Sequence, residues 1–165
     1  MKTIIIGIGN RQRGDDGVGP VIADWLVAAG SLPATVIEAS GEGATLIEAW
    51  QGFERAILID AIRPGSSVGA AGSLHRLDVH STPLPSGLFR YSTHAFSVAE
   101  AVEMARVLGL LPPVVLVFGV VGESFSPGSG LSRAVESTAR EVTADLIRLL
   151  AAEGESGAQL HPSTE

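Results

Sequence analysis

Ile4-Ile5-Ile6-Gly7-Ile8-Gly9-Asn10-Arg11-Gln12-Arg13-Gly14-Asp15-Asp16-Gly17-Val18-Gly19-Pro20 carries two structural periods and the break between them. Ile4 to Ile8 is an apolar run, the pattern of a parallel strand buried on both faces. Gly7 and Gly9 close it, where the backbone must turn sharply. From Val18 the period changes, and Val18, Val21, Ile22, Trp25 and Leu26 recur at the spacing of one helix face. Asp15 and Asp16 therefore fall in the connection between a first strand and a first helix. In open α/β sheets, sites are built at that edge, beyond the carboxyl ends of the strands.

Downstream, the alternation repeats. Ala34 to Ala39 reads as a second strand, and Leu46, Ile47 and Trp50 mark a short helix ended by Gly52. Ala56 to Asp60 reads as a third buried strand that finishes on a carboxylate. This β-α-β-α-β order predicts a parallel sheet with right-handed crossovers. Ser73 to Val79 alternates as a half-exposed edge strand does, a pattern compatible with antiparallel pairing. His80 to Tyr91, with Pro83 and Pro85, is irregular. Ser92 or Thr93 can cap a helix whose inner face is Val98, Ala101, Val102, Ala105 and Leu108. Val114 to Val121, the longest β-branched run, predicts a central strand. Leu131, Val135, Val142, Leu146 and Leu149 define a last helix. Residues 1–153 thus read as one α/β domain and 154–165 as a flexible tail.

Composition narrows the function classes. At 165 residues, 45% of them hydrophobic and 18% charged, the chain can bury a real core. A net charge of -7 disfavours nucleic-acid or anionic-membrane binding, which needs a cationic face. Cys is absent, which removes disulfides, thiolate metal sites and a cysteine nucleophile. No apolar run reaches the length of a membrane helix and no signal peptide is evident, so a cytoplasmic protein is expected.

A glycine-rich strand-to-helix turn first raises nucleotides. The dinucleotide fingerprint needs glycine where Gln12 stands. The Gly9 to Gly14 spacing of a P-loop is followed by Asp15 and Asp16 instead of Lys and Ser/Thr. Two negative charges there repel phosphate. Helix capping accounts for one of the two aspartates but poorly for both. Asp60 ends its strand at the same sheet edge, where an Asx-turn role is the ordinary alternative. His94 falls in the first turn of its helix, whose positive end favours the neutral, metal-binding imidazole. His75, His80 and His161 have no such placement. Carboxylates and one imidazole from separate elements suit nickel, zinc or a similar divalent ion, provided they converge. There is no H-E-x-x-H helix and no G-x-S-x-G elbow, so zincin proteases and α/β-hydrolases are unsupported.

The same residues resemble the hydrogenase maturation endopeptidases, which trim the C-terminal extension of the nickel-iron hydrogenase large subunit. The resemblance runs through Ile6-Gly7-Ile8-Gly9-Asn10, Gly14-Asp15-Asp16-Gly17-Val18-Gly19, Leu58-Ile59-Asp60-Ala61 and Ser92-Thr93-His94, fading at Leu131-Ser132. It implies a three-layer α/β/α sandwich around a mostly parallel, twisted five-stranded sheet. It also implies a metal-contacting and catalytic trio of Asp16, Asp60 and His94. In the best-known members a Glu stands at the position of Asp16, one methylene longer. The implied cofactor is nickel, supplied by the substrate rather than held tightly by the free protein. The implied partner is the immature large subunit carrying that nickel. The expected function is a nickel-dependent endopeptidase. The alternative is a non-catalytic nickel-sensing checkpoint module that binds the same precursor without cutting it. Arg11, Arg13 and Arg90, cations flanking this edge, are expected either to hold the precursor or to neutralise nearby acids.

Overall fold

The computed structural model of the chain describes residues 1–65, 67–84 and 98–158, with side chains described as far as Gly154. Among these residues five strands form one sheet: β1 (Thr3–Ile8), β2 (Thr35–Ala39), β3 (Arg55–Ile62), β4 (Leu74–Asp78) and β5 (Val114–Val121). Four α-helices accompany them: α1 (Val18–Ala28), α2 (Gly43–Ala49), α3 (Val98–Leu108) and α4 (Arg133–Ala158). A single 3-10 turn, Gly14–Gly17, precedes α1. The strand order is β2-β1-β3-β5-β4, parallel except for the antiparallel β4–β5 pair.

The apolar runs of β1, β3 and β5 are continuous because both faces of the sheet are covered. Ile4, Ile6 and Ile8 pack with Leu58, Ile62, Val115 and Val117 against α2 and α3. On the other face Ile5, Ile57, Ile59, Phe118 and Val120 pack against Val18, Ile22 and Leu26 of α1 and Val135, Val142 and Leu146 of α4. The result is the three-layer sandwich expected.

Two local details, the end of β3 and the exposure of Leu108, differ from the sequence reading. The third strand does not end at Asp60 but continues to Ile62, because β5 accompanies it through the pair Ile62↔Val121. The run Val114–Val121 is interior to the sheet, between β3 and β4, as a central strand is. Leu108 leaves the inner face of α3 and is 59% exposed. It is the last residue of the helix, where the chain turns back through a bond from Leu110 N–H to the Ala105 carbonyl.

Helix α4 continues past Gly154 to Ala158; residues 159–165 lie outside the described region. Its late turns are anchored by Arg55, a nearly buried guanidinium at the start of β3 that donates to both carboxylate oxygens of Glu153 at 2.6 and 2.8 Å. Glu153→Ala is expected to lower stability by about 1–2 kcal/mol, below the roughly 3–5 kcal/mol of a fully buried pair. The reason for the discount is that the Glu153 side chain is 39% exposed. Urea titration checks this. Arg55 holds the Glu153 carboxyl below its usual range. The contribution is therefore present above the ordinary glutamate pKa and lost as pH falls through the lowered one. None of the described helices is long and apolar enough to cross a membrane.

The start of α1 is pressed onto the sheet. A methyl at Gly19 would lie 2.5 Å from the carbonyl oxygens of Ile8 and Ile59 and from the amide nitrogen of Ile8; one at Gly7 would lie 2.3 Å from the Gly19 carbonyl oxygen. Only paired glycines allow that approach, and it brings the turn carrying Asp15 and Asp16 directly over the ends of β1 and β3.

Candidate active site

The two adjacent aspartates do different things, and neither caps a helix: no side-chain cap bond forms at the 3-10 turn or at α1. Asp15 is fully buried. Its Oδ2 accepts from the backbone N–H of Glu123 (2.7 Å) and Ser124 (3.1 Å) and from the hydroxyl of Ser132 (2.9 Å). Its Oδ1 accepts from the N–H of Ser132 at 2.7 Å. Its own N–H donates to the Ser124 carbonyl at 2.9 Å, and Gly128 N–H donates to the Gln12 carbonyl at 2.9 Å. The turn after β1 is thereby sewn, across the end of β3, to the loop between β5 and α4. A buried carboxylate with four donors of this kind is a satisfied structural group.

Asp16 is only half-buried. Its Oδ2 accepts from Asn10 N–H at 3.0 Å, and its backbone is seated on Gly9. There φ is +143°, and a Cβ would come within 1.9 Å of the Asp16 carbonyl oxygen. Asp60 sits just past the point where β1 stops pairing with β3, the last pair being Gly7↔Ile59. It shares the parity of Leu58 and Ile62, which face α2 and α3. Asp60 as a residue is 8% exposed, and its carboxylate accepts from Ala61 N–H at 2.8 Å. Burial, and after it the charge of Asp16, push the Asp60 carboxyl well above the usual aspartate range. The structure thus brings Asp16 and Asp60 together, as two oxygen-donor groups whose repulsion a divalent cation would relieve and a phosphate would worsen. That donor set fits a metal.

His94 lies outside the described residues, as do Arg90 and Tyr91. Among the described residues no three of His, Asp and Glu come together in a group able to hold an ion. His75 and His80 are engaged elsewhere, each ring Nε2 meeting a backbone carbonyl, that of Val68 at 2.6 Å and of Pro112 at 2.9 Å. His161 also lies outside the described region. Arg11 is committed to acids of the scaffold, pairing with Asp24 on α1 at 2.5 Å and Glu38 on β2 at 2.6 Å. Arg11 thus neutralises solvent-facing acids nearby, one of the two roles expected for it.

Sequence reasoning missed the separate task of Asp15. The signal that could have found it is Leu131-Ser132, whose serine supplies two of the four bonds to its carboxylate. A residue that merely faded out of a motif is its counterpart.

Comparison with known proteins adds a family. A family model described as Hydrogenase maturation protease matches residues 22–149, a segment that includes Asp60 and His94 and begins after Asp16. Hydrogenase 2 maturation protease of Escherichia coli (strain K12) is 28% identical over 166 residues, covering 98% of this chain and 96% of that protein. Among solved structures, the hydrogenase maturating endopeptidase HybD from E. coli superposes with a TM-score of 0.76 at 24% identity, over 93% of this chain and 94% of that one. The NiFe hydrogenase maturation protease HybD from Thermococcus kodakarensis gives a TM-score of 0.70 at 22% identity, over 91% and 99%. At these identities the superpositions speak for the fold.

Proposed function

Because this chain belongs to the hydrogenase maturation protease family, we propose that it is the nickel-dependent endopeptidase that removes the C-terminal extension from a nickel-iron hydrogenase large-subunit precursor. The observation that supports the reading is the nearly buried Asp60 at the carboxyl edge of the sheet, its carboxyl raised by burial and then by the charge of Asp16. Proteins of this family are hydrolases. What this chain must supply is a place where the precursor's metal and the bond to be cut lie side by side.

In this reading Asp16 and Asp60 offer carboxylate oxygens, and His94, which lies outside the described residues, completes the trio with an imidazole nitrogen. The nickel arrives as part of the substrate. Bound there, it supplies Lewis acidity and a fixed point against which the scissile peptide is aligned. Asp60, held out of water, is the ligand whose charge most needs that cation. Asp16, more exposed and steadied by Asn10, faces the arriving precursor. Three protein ligands leave coordination open for the partner. The isolated chain is accordingly expected to bind nickel weakly and to purify largely metal-free. The reading places the reaction in the cytoplasm.

Mixing the protein with precursor, with and without nickel, and measuring mass tests this. A shortened large subunit and a released peptide, seen only with the nickel-loaded precursor, are expected. Stable binding without any mass change would favour the non-cleaving checkpoint module. Equal cleavage of the nickel-free precursor would remove the metal from the account.

A further inference from the structure

We infer that Asp15 is a positioning residue for Asp16: the clasp it makes with the β5–α4 loop sets the direction in which the Asp16 carboxylate points. This rests on the protease reading above, in which Asp16 belongs to the site. The two residues sit in one 3-10 turn, Gly14–Gly17. With three residues per turn, successive side chains are about 120° apart. Locking one side chain inward therefore fixes the bearing of its neighbour.

The lock is unusually complete. Asp15 is enclosed on every side, its carboxylate takes four hydrogen bonds, and its own N–H is tied to Ser124. A methyl on Gly122 would lie 3.1 Å from the Asp15 Cβ, so the loop backbone also rests against it. The Asp16 side chain, by contrast, has the bond from Asn10 N–H, and its peptide is wedged against Gly9. Rotation of the turn about its axis is resisted at Asp15 and felt at Asp16. Loop contacts far along the chain thereby become a constraint on a carboxylate that they do not touch.

The test compares the intact protein with Asp15→Asn and Ser132→Ala. Asparagine keeps one acceptor oxygen and turns an NH2 group toward backbone donors, which breaks the clasp while leaving the volume. Ser132→Ala removes only the hydroxyl bond. The readouts are hydrogen exchange of the Asn10 amide, precursor affinity, and the cleavage rate at saturating nickel-loaded precursor. For Asp15→Asn, Asn10 exchange should accelerate at least tenfold while Ile5 in β1 is unchanged. The cleavage rate should fall at least tenfold, with affinity kept within threefold. Ser132→Ala should show the same pattern at about a third of the size on a logarithmic scale. Unchanged Asn10 exchange in a folded Asp15→Asn protein would overturn the inference, as would an unchanged cleavage rate. Should Asp15→Asn fail to fold, Ser132→Ala decides, and unaltered Asn10 exchange there overturns it. Lack of cleavage by the intact protein would instead sink the protease reading, and the Asn10 measurement would still decide the positioning role.

Discussion

Asp60→Asn is expected to abolish precursor processing and, at neutral pH, to raise the melting temperature of the protein. The two effects have one cause. Asp60 is buried beside a second carboxylate, so its charge costs stability in the native state. Its native pKa is raised, so below the ordinary aspartate value it is protonated in both native and unfolded chains and imposes no penalty. As pH rises from there through the raised native pKa, the unfolded chain ionises freely and the native one only against resistance, so stability is lost. Asparagine keeps the acceptor for Ala61 N–H and can offer its NH2 to Asp16, with no charge. A gain of about 1 kcal/mol corresponds to roughly 2–4 °C in a domain of this size. The gap between variant and parent should close near pH 4. Processing should fall by more than about 100-fold, since even residues that only orient metal ligands cost 10–100-fold when removed. Asp16→Asn and His94→Ala should match that loss. Melting curves at two pH values and a cleavage assay decide it; two of the three variants processing normally would dissolve the trio.

Gly19→Ala should be among the most damaging single methyls in the protein. Three backbone atoms stand 2.5 Å from where its Cβ must go, and none belongs to a side chain that can swing away. Relief requires α1 to lift off β1 and β3, which uncovers Val18 and Ile22 and carries the aspartate turn with it. Overpacking of a core ordinarily costs about 1–3 kcal/mol, and a purely backbone clash belongs at or beyond the top of that range. A loss of some 10 °C in melting temperature, accompanied by loss of processing, is expected. Gly154→Ala is the control, because it is the same chemical change in helix α4 with nothing within 4 Å. There the better helix propensity of alanine should be neutral or stabilising by up to about 1 kcal/mol. If calorimetry gives the two variants similar melting temperatures, the close approach at Gly19 is not what seats α1.

The β-α-β-α-β half of the fold is legible from residues 4 to 62 because each element is decided by its own period: Ile4–Ile8, the Val18 face, Leu46 with Trp50, and Ala56 onward. Element ends are less so. β3 outlasts Asp60 because of pairing with a strand far downstream, and α4 outlasts Gly154 while held by Arg55. The site divides in the same way. Asp16 and Asp60 are legible as carboxylates at one sheet edge. That Asp15 turns to the other side is not, since its partners are 108 to 117 residues away in sequence. The departure of Leu108 from the inner face of α3 is not legible either, because helical period alone cannot tell that the last residue projects past the layer it would cover.

The clasp at Asp15 also orders events during synthesis. A chain still growing on the ribosome holds β1, β2, β3 and the aspartate turn long before Ser132 emerges, and until then the Asp15 carboxylate has none of its loop donors. β4 waits as well, since β5 is its neighbour in the sheet. The edge that carries Asp16 and Asp60 is therefore among the last regions a nascent molecule can complete. A chain that stops short of Ser132 would carry the aspartates of the site without the frame that aims them.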